Sequence, residues 1–567
     1  MSTPIIEVRD LSFCYPGADT DTLRNVNLTI ERGDFVAVVG GNGSGKTTLC
    51  KTFNGLVPHY WQGEFAGSVH VDGIDTWNSS VSELSTRVGY VYQDFQNQLV
   101  RPTVRDEVAF APLNFGLADY DDRTSDALDA LGIEALAERF IWQLSGGQAH
   151  LTALASVLAM RPSVVIVDEP VAELDPARAH EVYRRLTELN AHGITVIAIE
   201  HHAEFIAEYA RSVVLMSEGT PVWHLPVEDA VNRTEELEGH GIPAPEVIVA
   251  CRALGAKKAP RSVQAAADFI RENTREDAWK QSIRVPATQR DTSEVVLSAR
   301  EVNHSRKGVG GKAQPILRGL NVDLYQGDRV ALVGGNGAGK TTLLRILAGL
   351  DVPRSGTIEV AGVNTRSRSA ARMANLVSYL YQTPSKMFLR DSIEADIRLF
   401  PAGRKADDVD ELVEKVLTRV RLNEFADRDG RTLSGGQQRR AALAIGLAMR
   451  PSVLLLDEPT SSLDIASRDD VTDLLNELSD SIACSVVATH DMHLVSDWAS
   501  RVLVLADGHI TADLTPADLF ADTELLARTN LVPPQIVRLG SALGLDPPPL
   551  NVADLVKAVR TSAVVEA

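Results

Sequence analysis

The chain is written twice, in register, and the repeat forces a duplicated fold. GGNGSGKTT runs from Gly40 to Thr48 and GGNGAGKTT from Gly334 to Thr342. LSGGQ follows at Leu144–Gln148 and Leu433–Gln437, then an apolar segment ending in Asp-Glu-Pro at Asp168–Pro170 and Asp457–Pro459. Gln382, Ser434, Asp457 and His490 each lie 289 residues after Gln93, Ser145, Asp168 and His201 (457 − 168, for one). Lys340 lies 294 after Lys46 (340 − 46), so the first half carries five extra residues, around Pro58–Phe65. The second half has three of its own between Val302 and Leu317.

The register extends past the motifs. Gly255 matches Gly544 and Pro245 matches Pro534 at the same interval (544 − 255). The expected division is two cores, residues 1–224 and 293–513, each followed by a small helical extension, 225–271 and 514–567. A polar connector, 272–292, joins the halves. Short apolar runs ending in glycine or acid (FVAVVG, RVALVG, SVVIVDEP, SVLLLDEP) alternate with helical patterns. Such alternation predicts an α/β fold with a mostly parallel sheet covered on both faces.

Charge and composition narrow the function. With 56 Lys and Arg against 76 Asp and Glu, the net charge is −20, which argues against bulk nucleic-acid binding. No apolar run approaches the roughly 18 residues that span a bilayer, and MSTPIIEVRD does not read as a secretory signal. A membrane role would therefore need other subunits for the span. Cys14, Cys50, Cys251 and Cys484 are scattered without a CxxC pair, so neither a cysteine metal site nor a disulfide framework is expected.

GxxxxGK[ST] between a strand and a helix is a phosphate-binding loop. Its glycines let backbone N–H groups converge on phosphate oxygens, and the helix N-terminus adds its positive dipole end. This assigns Gly40, Asn42, Gly43, Ser44, Gly45, Lys46, Thr47 and Thr48 to one nucleotide site. Gly334, Asn336, Gly337, Ala338, Gly339, Lys340, Thr341 and Thr342 form the other. Lys46 and Lys340 should reach the β- and γ-phosphates of ATP, and Thr47 and Thr341 should offer hydroxyls to Mg²⁺. Asp168 and Asp457 end apolar strands, where a carboxylate is costly unless it serves a cation, so Mg²⁺ is their expected ligand. Glu169 and Glu458 then stand beside the γ-phosphate, placed to polarise the attacking water.

LSGGQ together with these loops resembles the ATP-binding cassette family over nearly the whole chain. The resemblance implies, in each half, a sheet core, an antiparallel β subdomain and a helical subdomain. It also implies that Ser145, Gly146, Gly147 and Gln148 bind the γ-phosphate of ATP held by the other half. Ser434, Gly435, Gly436 and Gln437 would do so in return, making an intramolecular pseudo-dimer. By the same resemblance Gln93 and Gln382 are the glutamines that sense Mg²⁺ and touch a membrane subunit. His201 and His490 are the switch histidines, Asp175 and Asp464 belong to the loop crossing between halves, and Tyr15 stacks on adenine. Near the place of Tyr15 the second half has Arg306. After the signature it has Gln438-Arg439-Arg440, where the first half has Ala149-His150-Leu151.

Twin cassettes without spans occur in importers, in ribosome-associated factors and in DNA-repair proteins. The cysteine count excludes the zinc-bearing repair class. NGLVPHYWQGEFAGSVHVDG and VYQDFQNQLVRPTVRDEVAF are similar to segments of energy-coupling-factor importers. That likeness implies a coupling membrane subunit, a substrate-binding membrane subunit, a vitamin or metal-ion cargo and a peripheral place on the cytoplasmic membrane face. A fused sugar or peptide importer ATPase, a ribosome-associated cassette ATPase and a slow regulatory ATP binder are the other readings. Gln98 reads either as an extra polar group near the γ-phosphate or as a plain loop contact.

Overall fold

A computed structural model describes residues 4–171, 174, 176–274, 294–307, 313–335, 337–461, 463 and 465–561. Asp175, Asn336, Asp464 and the connector from residue 275 onward lie outside the described residues. The chain divides into two units, Met1–Asn273 and Thr274–Ala567.

In the first unit β1 (Ile6–Cys14), β2 (Leu23–Ile30), β4 (Glu64–Val71) and β5 (Ile74–Asp75) form a small sheet in the order β2-β1-β4-β5, every pairing antiparallel. The larger sheet holds β3 (Phe35–Val39), β6 (Val88–Val91), β7 (Val164–Asp168), β8 (Thr195–Ile199), β9 (Ser212–Ser217) and β10 (Thr220–Pro226). Its order is β10-β9-β3-β8-β7-β6, parallel except for β10. The strands β3, β7 and β8 are buried at every residue, which is why their sequences are apolar runs, broken only by Asp168 at the end of β7 and Thr195 at the start of β8, rather than alternating ones.

Alternate residues of β7 nevertheless serve different cores. Val164 and Ile166 join β1, β2 and helix α1 (Lys46–Phe53), packing with Val8, Leu28, Leu49 and Phe53. Val165 and Val167 face the helical side instead. There they meet α2 (Val104–Asn114), α3 (Tyr120–Leu131), α4 (Gly146–Leu158) and α5 (Pro176–Ala191) through Val108, Leu128, Leu154 and Leu186. Each such buried aliphatic side chain contributes about 1.5–3 kcal/mol. Beyond β10 the unit ends in short helices, among them α6 (Glu246–Ala253) and α7 (Val263–Asn273).

The second unit repeats this plan. Its small sheet runs β12 (Ala313–Tyr325), β11 (Val295–Lys307), β14 (Ser355–Val360), β15 (Val363–Asn364). Its large sheet is built from β13 (Asp328–Val333), β16 (Val377–Leu380), β17 (Val453–Asp457), β18 (Cys484–Ala488), β19 (Arg501–Ala506) and β20 (His509–Leu514). The order is β16-β17-β18-β13-β19-β20, parallel except for β20. Helices α8 (Lys340–Leu347), α9 (Ile393–Gly403), α10 (Val409–Arg419), α11 (Gly435–Ala448) and α12 (Ile465–Leu478) repeat α1 to α5, and α13 (Gln535–Leu543) and α14 (Val552–Thr561) repeat α6 and α7. The α/β expectation, with a small antiparallel sheet and a helical side in each half, matches this architecture.

Candidate functional site

Strand order gathers the motifs. β3, β8, β7 and β6 are consecutive neighbours, and Val38, Ile199 and Asp168 are level at their C-terminal ends. The loops leaving those ends carry the P-loop, His201, Glu169 and Gln93. In the second unit Leu332, Ala488 and Asp457 are level in the same way. A cleft at the carboxyl ends of parallel strands is the usual ligand position of such sheets.

Gly40, Asn42, Gly43, Ser44 and Gly45 make the turn from β3 into α1, with Thr47 and Thr48 on the first helical turn. Gly40 has φ 144°, and a Cβ there would stand 2.2 Å from the Met216 carbonyl oxygen. Gly334 repeats this at φ 153°, with the Leu505 carbonyl 2.2 Å away. Only glycine fits either position. Lys46 is buried, and its Nζ donates to the carbonyls of Gly40 at 2.8 Å and Gly41 at 2.9 Å. Burial lowers its pKa, while the Glu169 and Asp168 carboxylates work in the opposite direction. Lys340 Nζ donates to Gly334 O at 2.6 Å. Gly337, Ala338 and Gly339 complete the described part of that loop ahead of α8, with Thr341 and Thr342 on its first turn.

Each strand-end aspartate meets a hydroxyl on both sides. Thr47 Oγ1 lies 3.5 Å from Asp168 Oδ1, and the Tyr90 hydroxyl donates to Asp168 Oδ2 at 2.8 Å. In the second unit Thr341 Oγ1 is 3.1 Å from Asp457 Oδ1, and the Tyr379 hydroxyl donates to Oδ2 at 2.9 Å. Burial raises the pKa of both carboxyls. A buried carboxylate with a threonine hydroxyl at its open oxygen is an all-oxygen pair suited to a hard divalent cation such as Mg²⁺. Among the described residues no cluster of three or more His, Cys, Asp or Glu could hold a metal unaided. The remaining ligands would have to come from nucleotide and water, as is common for Mg²⁺. Tyr90 and Tyr379 escaped the sequence reading. Their equal spacing of 78 residues to the aspartates (168 − 90, 457 − 379) was the available signal.

Glu169 and Glu458 follow at φ 50° and 49°, a left-handed conformation that costs a non-glycine residue on the order of 1 kcal/mol or more. Both are held by main-chain bonds to the adjacent strand, Glu169 N–H to Ile199 O at 3.0 Å and Glu458 N–H to Ala488 O at 2.9 Å. Gln93 Nε2 donates to Glu169 Oε2 at 2.6 Å, and His201 Nε2 lies 3.3 Å from Oε1. In the second unit Gln382 is exposed, and Glu458 is met by His490, whose Nδ1 is 2.9 Å and whose N–H is 3.3 Å from Oε2. Burial disfavours the charged His490 ring, but the Glu458 carboxylate outweighs it and its pKa is raised.

The signature residues start helices. Ser145 and Gln148 form a reciprocal cap on α4, Gln148 N–H donating to Ser145 Oγ at 3.3 Å and Ser145 N–H to Gln148 Oε1 at 3.1 Å. Ser434 and Gln437 cap α11 identically, with Gly146, Gly147, Gly435 and Gly436 on the first turns. Among the described residues no hydrogen bond joins either signature to the P-loop of its own half. Both post-signature helices are intact, so Ala149-His150-Leu151 costs no helix; what changes is the link to the glutamine loop. Arg439 donates to Tyr381 O at 3.3 Å and to Ser461 Oγ at 3.0 Å, whereas His150 packs on Phe95 with ring centroids 4.7 Å apart.

Tyr15 sits edge-on to Phe13 and shares a 3.2 Å hydrogen bond with Thr48 Oγ1, at the side of an open depression of about 940 Å³ lined by Gly17, Arg24 and Gln62 among others. In the second unit the pairing of His304 with Leu317 repeats that of Phe13 with Leu23. Two residues on, Arg306 stands at the sequence place of Tyr15, but inside β11 where Tyr15 lies just past β1, and it is exposed. Gln98 proves to brace the glutamine loop, donating to Tyr90 O at 3.1 Å and accepting from Tyr92 N–H at 3.3 Å.

The family model for ABC transporters matches residues 23–172 and 317–461. A Methanosarcina mazei protein named "Putative ABC transporter ATP-binding protein" is 33% identical over 554 residues, covering 96% of this chain and 94% of its own. A Caldanaerobacter subterraneus protein of the same description is 31% identical over 557 residues, covering 96% and 97%. The solved cbiO1 of Clostridium perfringens, described as part of the ABC transporter complex cbiONQ, is 31% identical across 44% of this chain and 99% of its own, with a TM-score of 0.38. The chain belongs to the ABC transporter family. It is the ATP-binding, ATP-hydrolysing component, with one cassette in each half, and works with membrane subunits.

Proposed function

We propose that this chain energises import of a small solute, a vitamin or a metal ion, through separate membrane subunits of the energy-coupling-factor kind. One observation carries the docking part of this reading. Beside the glutamine loops, the same two apolar positions are exposed in both halves: Val100 at 63% and Leu389 at 70%, then Phe110 at 40% and Leu399 at 36%. Equivalent large apolar residues left in solvent by both copies of a duplicated domain support the reading that a partner covers this surface. Among the described residues no helix is long and apolar enough to cross a membrane, so the span falls to the partners. The chain would then lie peripherally on the cytoplasmic face. The two strings named above favour a coupling subunit plus a substrate-binding subunit as that partner.

At each cassette Mg²⁺ would rest on Thr47 and Asp168, or on Thr341 and Asp457, and supply charge neutralisation at the phosphates. Glu169 and Glu458 would orient the attacking water while His201 and His490 hold the γ-phosphate side. ATP would sit at two composite sites, each joining the P-loop of one half to the signature of the other. ATP binding drives closure only by binding the closed state more tightly than the open one.

Purification of the tagged chain from detergent-solubilised membranes tests the reading. Recovery of two small membrane proteins, with ATP-dependent uptake of one solute after reconstitution, is expected. Recovery with ribosomal particles and no membrane protein would overturn it.

A further inference from the structure

The residues flanking the two switch histidines differ as complete sets. His201 lies between Glu200 and His202, and His490 between Thr489 and Asp491. Glu200 is only 1% exposed. Its Oε1 accepts the main-chain N–H of His201 at 2.8 Å and of His202 at 2.9 Å, and lies 2.7 Å from His202 Nδ1. Its Oε2 accepts the Tyr183 hydroxyl at 2.6 Å. Its own N–H donates to Val38 O, on the strand that feeds the P-loop, at 3.2 Å. Burial opposes this charge, but His202 and Tyr183 outweigh it and keep the carboxyl below its usual range. Tyr183 is itself fixed, stacked on Phe35, Phe205 and Tyr209.

The second half replaces the whole arrangement. Where the first has Val171, Ala179, Tyr183, Glu200 and His202, it has Thr460, Arg468, Thr472, Thr489 and Asp491. Asp491 accepts from Thr460 Oγ1 at 3.0 Å and from the N–H groups of His493 and Leu494, while the Thr472 hydroxyl returns to its own helix at Arg468 O. So the N–H of His490 is left to Glu458, whereas that of His201 is taken by Glu200.

We propose that Glu200 is a positioning residue for His201, locking the main chain of the switch histidine to Tyr183 of α5 and leaving Glu169 to face Gln93 and the His201 ring. The inference rests on the reading of Glu169 and His201 as the hydrolytic pair of the first half. It goes beyond that reading in giving the first cassette a dependence, on a Tyr–Glu bond, that the second cassette lacks.

Steady-state ATP turnover of the full chain tests it, with His201→Ala, Glu200→Gln, Tyr183→Phe and Thr472→Val compared. Loss of one charge-assisted hydrogen bond at the first site corresponds to about tenfold in its rate. Glu200→Gln and Tyr183→Phe should therefore remove at least half of the turnover that His201→Ala removes, with KM for ATP within about twofold. Thr472→Val should remove none, and Glu200→Gln added to His201→Ala should cost nothing more, since a residue acting only through His201 has no effect without it. If His201→Ala leaves turnover intact, the parent reading fails and takes this one with it. If His201→Ala is damaging while both relay variants keep wild-type kcat, only the proposal on Glu200 falls. Tyr183→Phe preserves the packing of the ring, so it decides the question even where Glu200→Gln does not fold.

Discussion

Acidification should loosen the first cassette through His150. That side chain is 1% exposed, neither ring nitrogen has a hydrogen-bond partner among the described residues, and burial lowers its pKa from 6.5 to about 4. The folded state therefore holds a neutral ring, and the unfolded chain takes up the proton first. Stability from this group is complete above pH 6.5 and is lost as pH falls toward 4, the reverse of a histidine that gains an acidic partner. At about 1.4 kcal/mol per unit, the loss between pH 7 and pH 5 is about 2 kcal/mol, or about thirtyfold in an opening equilibrium. Hydrogen exchange of the α4 amides in the full chain, corrected for intrinsic rate, reads that opening. In His150→Leu the two unpartnered nitrogens are gone, so protection at pH 7 should hold or rise. The acid-induced loss should shrink by about the same 2 kcal/mol. If His150→Leu and the wild type lose protection equally between pH 7 and pH 5, the ring is not the buried neutral group described, and the reasoning fails.

Three other outcomes are expected. Glu169→Gln combined with Glu458→Gln should abolish turnover while ATP stays bound, as measured by retained unhydrolysed nucleotide; wild-type turnover would reject both assignments. Gly40→Ala forces a Cβ to 2.2 Å from Met216 O at φ 144°, so it should lower the thermal midpoint of the first unit and remove ATP binding at Lys46. An unchanged midpoint with normal binding would mean that the loop is not held as described. If each ATP is shared as proposed between the P-loop of one half and the signature of the other, Ser434→Arg should damage hydrolysis at the Lys46 site and spare the Lys340 site; site-resolved nucleotide trapping with the opposite pattern would refute it.

The parts legible in the sequence are those where backbone geometry dictates residue type. A loop that presses its Cα against a carbonyl admits only glycine, so the P-loops are visible as strings, and full burial of β3 and β7 makes them continuous apolar runs. Tyr90 and Tyr379 were not legible, because a tyrosine in an apolar strand reads as core until its hydroxyl is seen on Asp168 or Asp457. Glu200 was not legible, since only three dimensions bring Tyr183 to it from the preceding helix. Gln98 was ambiguous for the same reason, and its hydrogen bonds to Tyr90 and Tyr92 resolve it as a loop brace. The exposure of Val100 and Leu389 depends on what the rest of the fold leaves uncovered, which periodicity does not report.

Comparison of the halves separates two kinds of constraint. Lys46 and Lys340 bind the same loop carbonyl, and Thr47–Asp168–Tyr90 and Thr341–Asp457–Tyr379 share one pattern of bonds. Those groups are the ones proposed to surround the phosphates, where a shift of about 1 Å would be expensive in rate, so little divergence is expected. The differences gather one step behind them. Arg439 ties the signature helix to the glutamine loop with a hydrogen bond to Tyr381 O, where His150 only packs on Phe95. The N–H of His201 is anchored on Glu200, and that of His490 on Glu458. In the first half Glu200 ties the His201 loop to α5 through Tyr183, whereas the Glu458 that anchors His490 stands in a loop at the strand ends. Such contacts position the loops at the strand ends without themselves lying among the P-loop, Asp168 and Asp457 groups, so more than one bonded arrangement can serve. The duplicated chain is thus the same machine twice at the phosphates and two different machines in the linkages. Unequal behaviour of its two cassettes is therefore to be sought in the coupling of hydrolysis to movement, more than in the affinity of the P-loops for ATP.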